Sequence, residues 1–474
     1  MPLWSSAAAE AATSGKATTQ WQATGVSIDT RTLAPGDLFV ALKDIRDGHD
    51  FVAQALGNGA AAALVSRIPE GVADTAPLLI VDDVLEALEA LGRAARARTK
   101  AQVIGVTGSV GKTSTKEMLR TMLSAQGKTH AAEKSYNNHW GVPLTLARMP
   151  ADSVYAVIEI GMNHPGEIAP LARMAQLDVA MITTVAPAHL EAFESIEGIA
   201  REKSDIFKGL METGGVAVIN ADLDSTALLL DAAPFGCERF GKSEGAEWQL
   251  TEMIETERAT TCAASYRGEK LLFKINAPGA HFALNGLGAL AACVAAGADL
   301  GQSVVALGQW QPPQGRGARQ FISLDVANET VGIDLIDDAY NANPASIGAA
   351  LQVLAQISPP GKRGRRVAIL GDMKELGQTE ADLHRAIAQS PATEQLDQIH
   401  CVGPLMKHLH AALPADRQGL WAETSAELAA QPSALAQAGD VVMAKGSLSM
   451  KMALIVDAIR NMGHITPLND KGPH

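Results

Sequence analysis

Short apolar runs broken by turn residues open the chain, at positions 37–42, 60–65 and 78–81. A longer amphipathic stretch, 84–98, comes next, with its basic residues gathered at the end where they suit a helix dipole; it predicts a helix. From position 102 the pattern changes. Apolar runs at 102–106, 154–160, 179–185 and 215–219 alternate with helical stretches, the first of them spanning about 113–126. Apolar strands alternating with helices predict a parallel sheet covered on both faces.

A Pro- and Gly-rich stretch at 311–317 reads as a linker. Beyond it, runs at 330–336, 367–370, 398–402 and 440–444 again alternate with helical patterns and predict a second α/β body. The expected fold class is therefore α/β in three domains, at 1–100, 101–313 and 314–474. That division agrees with length, because 474 residues exceed what one hydrophobic core organises. No internal repeat is visible, and the only low-complexity stretch is the Ala-rich first twenty residues.

Composition narrows the function classes. Aromatic residues are only 4% of the chain, which suits close-packed helices on sheets. The net charge of -13 argues against non-specific binding to nucleic acid or anionic membranes, both of which need a cationic surplus. The basic run at 362–366 reads as a solvated loop before the apolar strand at 367–370. Four separated cysteines form no CxxC pair, so neither a zinc site nor a disulfide framework is expected. The N-terminus lacks the basic start and apolar centre of a signal peptide, and no run is long enough to span a bilayer. A cytoplasmic, monomeric enzyme is the expectation.

The strongest chemical signal is Thr107-Gly108-Ser109-Val110-Gly111-Lys112-Thr113, set between an apolar strand and a helix. Glycines let backbone N–H groups turn inward around phosphate oxygens, and the helix start adds partial positive charge. Lys112 is placed to reach the β- and γ-phosphates and the Thr113 hydroxyl to ligate Mg²⁺. The longer P-loop pattern requires glycine where this chain has Val106, so the motif is the shorter GxxGKT form. Such a loop does not choose between kinase, switch, motor and ligase.

Glu159 ends the run at 154–160, where a carboxylate beside a phosphate loop suits Mg²⁺. His189 comes after the next run and is a candidate second metal ligand. Lys203 alone reads as a solvated helix lysine, and the segment 136–141 as a polar turn rich in hydrogen-bond donors.

In order, the segments TGSVGKTST, YNNHWGVPLTLARM, IEIGMNHPGEI, TTVAPAHLEAF, AREKSDIF, GAHFALNGLGAL, DDAYNANPAS, LGDMKELG and AKGSLSMK resemble the Mur ligases, ATP-dependent amide-forming enzymes of peptidoglycan precursor synthesis. The resemblance spans about 25–455. The segment 337–344 resembles the branch that joins D-alanyl-D-alanine to UDP-N-acetylmuramoyl-tripeptide. No DNPR segment is present, which argues against the branch that adds meso-diaminopimelate, and the folate-polyglutamylating relatives lack the first zone.

The resemblance implies a UDP-sugar-binding first domain, a central ATPase domain and a Rossmann-like C-terminal domain that binds the amino substrate. It implies ATP with two Mg²⁺ ions. Lys112, Glu159, His189, Lys203 and Asn138 would be catalytic, and Thr113, Glu159, His189 and Lys203 would hold metal, Lys203 matching a lysine that relatives carbamylate. Residues 107–113 with Asn285, Arg316 and Asp338 would bind the nucleotide. Ser27, Asp29, Thr30, Arg31, Asp47 and His49 would hold the uridine diphosphate end. Asn341, Asn343, Lys374, Lys445 and Ser447 would surround the dipeptide. The family usually carries arginine after KGS, where this chain has Leu448.

The implied chemistry is activation of a carboxylate by the γ-phosphoryl group of ATP, then attack by the dipeptide amine on the acyl phosphate. Two other readings remain at this point: a Mur ligase of different amino-substrate preference, and a P-loop phosphotransferase that needs no amine.

Overall fold

The structure, a computed structural model, describes residues 2–188, 190–234 and 236–466. Three main sheets organise these residues. The first holds Lys16–Ala17, Leu78–Ile80, Ala62–Val65, Asp37–Val40 and Gly25–Ser27, the last four parallel in sequence-neighbour order. The helix Val84–Ala97 lies across this sheet, capped by the Asp83 carboxylate and carrying Arg96 in its last turn, as the basic end of the pattern indicated. Its inner stripe of Val84, Leu88, Leu91 and Ala95 shares a core with Leu144 and Ala147 of the helix Gly141–Ala147. That joint is fixed by polar ties as well: Arg98 reaches Leu3 O at 2.7 Å, and Arg148 donates to Val26 O at 2.6 Å.

The middle sheet has nine strands, with the phosphate-loop strand Gln102–Thr107 between Tyr155–Glu159 and Val179–Ile182, all parallel. Each of these runs is apolar because both faces are covered. Helices Lys112–Ser124 and Ala280–Ala295 pack one face, and Ile168–Ala175 and Ile196–Ser204 the other. The chain leaves the Gln102–Thr107 strand on one side and returns on the other, so the carboxyl ends of these strands open onto a crevice, where α/β sheets bind ligands. The register places Glu159 beside Val106 and Ile182 beside Thr107, at one level of the sheet.

The sheet does not end as the parallel pattern predicts. Strands Trp248–Glu255, Thr260–Tyr266 and Glu269–Ile275 add an antiparallel extension. They alternate buried and exposed positions, because only one of their faces meets the core. Arg267 and Gly268 both take positive φ at the last turn, the backbone a two-residue hairpin needs.

The third sheet runs Gln418–Ala422, Gln398–Val402, Arg366–Gly371, Val441–Lys445, Gly332–Asp338, Ala318–Ser323 and His464–Thr466, the first five parallel. The basic run before it is less solvated than expected: Arg365 pairs with Asp440 at 2.7 Å and Arg366 begins a strand. No helix among the described residues is long and apolar enough to cross a membrane.

Candidate active site

The phosphate loop is strapped down before any ligand arrives. Thr183 Oγ1 donates to Val110 O at 2.6 Å, the Ser109 N–H donates to Thr184 O at 2.8 Å, and Ser109 Oγ bonds both backbone groups of Ala186 at 3.0 Å. Gly111 enters the helix at φ 88°, and a Cβ there would meet Asn285 Nδ2 at 2.7 Å. Only glycine lets the chain turn there, and the same contact explains why Asn285, distant in sequence, faces the loop. Thr107 and Gly108 lie beneath the opening rather than in it: Thr107 is buried, and Gly108 O accepts Lys112 Nζ at 2.7 Å.

Lys112 points back over its own loop. Burial pulls its pKa below the usual lysine range; Glu159 opposes that and Arg316 adds to it. Glu159 is 1% exposed and is held by two side chains. Thr113 Oγ1 lies 3.1 and 3.2 Å from its two oxygens, and Asn137 Nδ2 donates to it at 2.7 Å. Ser135 Oγ and Arg316 Nη2 approach the same Thr113 hydroxyl at 2.9 and 3.3 Å. Arg316 comes from the linker and stacks over Tyr340, 4.2 Å from the ring centre.

Lys203 is not the solvated helix residue its local sequence suggests. It is 2% exposed, its Nζ rests 3.8 Å from Met162 Sδ, and burial with the nearby Lys112 drives its pKa well below the ordinary value. Its neighbour Glu202 accepts the Gly166 and Ile168 N–H groups at 2.7 and 2.9 Å, pinning this helix to the turn after Glu159. His189 lies outside the described residues, although Ala188, immediately before it, lines the same cavity. Asn138 reaches the cavity too, with its Oδ1 occupied by the Gly141 N–H at 2.9 Å and its amide nitrogen left for other work.

Loops of the third sheet complete the cavity, which measures about 520 Å³. Asn341, Asn343, Lys374, Ser447 and Leu448 line it opposite the phosphate loop. Asn343 also caps the helix Pro344–Gln356, taking the Ser346 N–H at 2.9 Å. Leu448, where the family arginine is expected, stands 61% exposed at this wall. Lys445 falls elsewhere than with Lys374 and Ser447. It pairs with Asp338 at 2.7 Å and lines a second, adjoining cavity of about 260 Å³ with Asn285, His281, Phe282 and Val353. Burial raises the Asp338 carboxyl despite Lys445 and Arg316, and lowers His281 to about 4. Ser109, Val110, Gly111, Arg316, Asn341 and Asn343 border both cavities, so the two form one crevice.

A third cavity, about 920 Å³, opens in the first sheet and holds Asp29, Thr30, Arg31, Asp47 and His49. Ser27 sits behind it, buried and bonded to the Asp29 backbone. Arg67, the backbone N–H of His49 and the His49 ring hold the Asp47 carboxyl well below its normal range, Arg67 most strongly. Tyr136, His139 and Trp140 line this cavity, while Ser135, Asn137 and Asn138 of the same segment line the phosphate-loop cavity. The polar turn thus joins the two. Sequence reasoning missed Asn137, Tyr340 and His281. Asn137 stands next to Asn138 in the polar turn, and that second asparagine was the available signal.

Three family models match the chain: the Mur ligase family catalytic domain at 22–96, the Mur ligase middle domain at 106–293, and the Mur ligase glutamate ligase domain at 324–448. The chain belongs to the Mur ligase family. Among Mur ligases, the UDP-N-acetylmuramoyl-tripeptide–D-alanyl-D-alanine ligase of Escherichia coli (strain K12) is 35% identical, covering 92% of this chain and 94% of that one. The Bacillus subtilis (strain 168) enzyme of the same name is 33% identical over 91% and 92%. A crystal structure of MurF from Acinetobacter baumannii superposes with a TM-score of 0.82 at 30% identity, covering 97% and 99%. The MurF ligase of Thermotoga maritima, solved in complex with ADP, matches with a TM-score of 0.76 at 25% identity, covering 92% and 97%. The Mur ligase fold, with its P-loop sheet between two other α/β bodies, is the fold of this chain.

Proposed function

We propose that this Mur ligase joins D-alanyl-D-alanine to UDP-N-acetylmuramoyl-tripeptide at the cost of ATP. The observation that carries this is the arrangement of the three cavities, two of them continuous and the third joined to them by the segment 135–140. The nucleotide loop and loops of the third sheet meet around Lys112 and Glu159, and the polar turn leads from there to a separate pocket lined by Arg31, Lys43, Arg46 and Arg67 as well as by Asp29 and Asp47. A phosphotransferase needs no such third wall. Relatives of this name, 32–35% identical over most of their length, support the same choice of substrates. The working division is 1–100 for the UDP-sugar, 101–313 for ATP and 314–474 for the dipeptide, acting as a monomer in the cytoplasm, where ATP is supplied.

A carboxylate and an amine do not condense in water, because hydroxide leaves poorly. Transfer of the γ-phosphoryl group to the terminal carboxylate of the tripeptide releases ADP and makes an acyl phosphate. The dipeptide amine then attacks the acyl carbon, and the tetrahedral adduct expels phosphate and leaves an amide. The first step brings two anions together. Lys112, the inward N–H groups of the loop and Arg316 reduce that repulsion in a water-poor site, where fixed charges act strongly. Lys112, depressed by burial, regains its proton affinity when phosphate oxygens arrive.

The Thr113 hydroxyl and the two Glu159 oxygens are hard donors converging at one point, which fits Mg²⁺. His189 and Lys203, the latter as a carbamate, are assigned to a second ion. The buried, depressed Lys203 amine suits carbamate formation, which requires the neutral form. Bound there, Mg²⁺ supplies charge neutralisation for the phosphates. Asn137 orients Glu159, and Asn138 presents its amide to the transferring group.

The direct test is phosphate release with ATP, UDP-N-acetylmuramoyl-tripeptide and D-alanyl-D-alanine, omitting each in turn. Release that requires all three supports the ligase; turnover without the dipeptide would favour the phosphotransferase.

A further inference from the structure

We propose that His384 is a positioning residue for the amine substrate: it fixes the loop carrying Lys374 against the cavity through a hydrogen bond that only neutral imidazole can make. The inference rests on the function proposed for this site. His384 is buried in the short helix Glu380–Ala386, away from every cavity described. Its Nε2 lies 2.9 Å from the Met373 N–H, and its Nδ1 lies 2.6 Å from Glu380 O. An amide N–H can only donate and a carbonyl can only accept. The tautomer is therefore settled by its partners: hydrogen on Nδ1, a bare lone pair on Nε2.

The held loop matters because Lys374 comes immediately after Met373. The Lys374 N–H donates to Ser447 Oγ at 3.1 Å, and the Ser447 N–H donates to Asp372 O at 3.1 Å. Asp372, fully buried, takes the Met406 N–H at 2.8 Å and Lys374 Nζ at 3.0 Å. One loop thus aligns both Lys374 and Ser447 on the cavity wall, and His384 supplies its anchor from behind.

Protonated imidazole would turn an N–H toward the Met373 N–H and lose that anchor. The charged or titratable groups facing His384 are Glu380 of its own helix, Asp372 of the anchored loop, itself paired with Lys374, and His408 of the helix Met406–Ala412. Burial lowers the His384 pKa, Glu380 and Asp372 oppose that, and His408 adds to it. The neutral form therefore holds at the ordinary histidine value of about 6.5 and persists below it, and the anchor is lost only as pH falls through the lowered value.

The test compares wild type, His384→Gln and His384→Ala between about pH 4.5 and 8.5, a window reaching well below the ordinary histidine value, measuring KM for each of the three substrates. Gln offers Oε1 where Nε2 stood and does not titrate. The dipeptide amine loses its nucleophilic form below about pH 8 in every variant, so the difference between wild type and His384→Gln isolates the imidazole. We expect an additional rise of the dipeptide KM at acid pH in wild type, absent in His384→Gln. His384→Ala should raise the dipeptide KM about five- to thirtyfold at neutral pH, leaving KM for ATP near its wild-type value. An acid limb retained in His384→Gln, or equal changes in KM for ATP and dipeptide, would overturn the proposal. If His384→Ala does not fold, the Gln comparison alone decides. Wild-type turnover that ignores the dipeptide would overturn the function itself, and is seen before any variant is made.

Discussion

The two walls of the crevice are built differently. On the phosphate-loop side, one continuous segment from Ser109 to Thr113 lines the cavity, and hydrogen bonds to Thr183, Thr184 and Ala186 hold the loop in place. On the amine side the surface is assembled from three separated segments around 341–343, 372–375 and 446–449, hung on Asp372, His384 and a helix cap at Asn343. A phosphate is a fixed shape, and a rigid nest of N–H groups suits it. Loops on few anchors are easier to move, which suits a wall that must open to admit substrate and close over an acyl phosphate. The Glu191 N–H donates to Glu375 O at 3.4 Å, one of the contacts between the two sides among the described residues.

This contrast predicts where substitutions hurt most. Lys112→Ala should lower kcat roughly 10²- to 10³-fold or more with thermal stability unchanged, as a stopped phosphate-release assay and a melting curve would record. Activity near wild type would remove the phosphate loop from the chemistry. Lys445→Ala leaves Asp338 buried without its partner. It should destabilise the fold by about 3 kcal/mol in urea titration and weaken nucleotide binding more than dipeptide binding. Equal effects on both would blur the division between the walls. Gly111→Ala should cost about 1–2 kcal/mol of stability and raise KM for ATP, because its φ of 88° and the Asn285 contact both resist a side chain. Leu448→Arg is the mildest: a cation restored at an exposed rim should lower the dipeptide KM by no more than about fivefold, in a steady-state titration of that substrate.

The same contrast explains what could be read from the chain. The phosphate loop was legible because its residues are contiguous and bracketed by a strand and a helix, so spacing alone placed it. Glu159 was readable as a strand end, and the register puts it beside Val106. Lys203 was not, because helical spacing does not reveal that its face is buried under the turn at 162–168. Lys445 was grouped with Ser447, two residues away in sequence, yet Lys445 ends the strand Val441–Lys445 and lines the smaller, adjoining cavity, while Ser447 lies in the loop after it. The antiparallel extension at 248–275 went unnoticed because its polar outer face breaks up the apolar runs that marked the buried strands.

The most direct measurement is a tracer one. UDP-N-acetylmuramoyl-tripeptide labelled with oxygen-18 in its terminal carboxylate would be turned over with ATP and D-alanyl-D-alanine, and the released phosphate weighed by mass spectrometry. Transfer of one labelled oxygen to phosphate for each amide formed is the predicted result, since the carboxylate oxygen becomes the bridge of the acyl phosphate. Unlabelled phosphate alongside normal amide formation would contradict it.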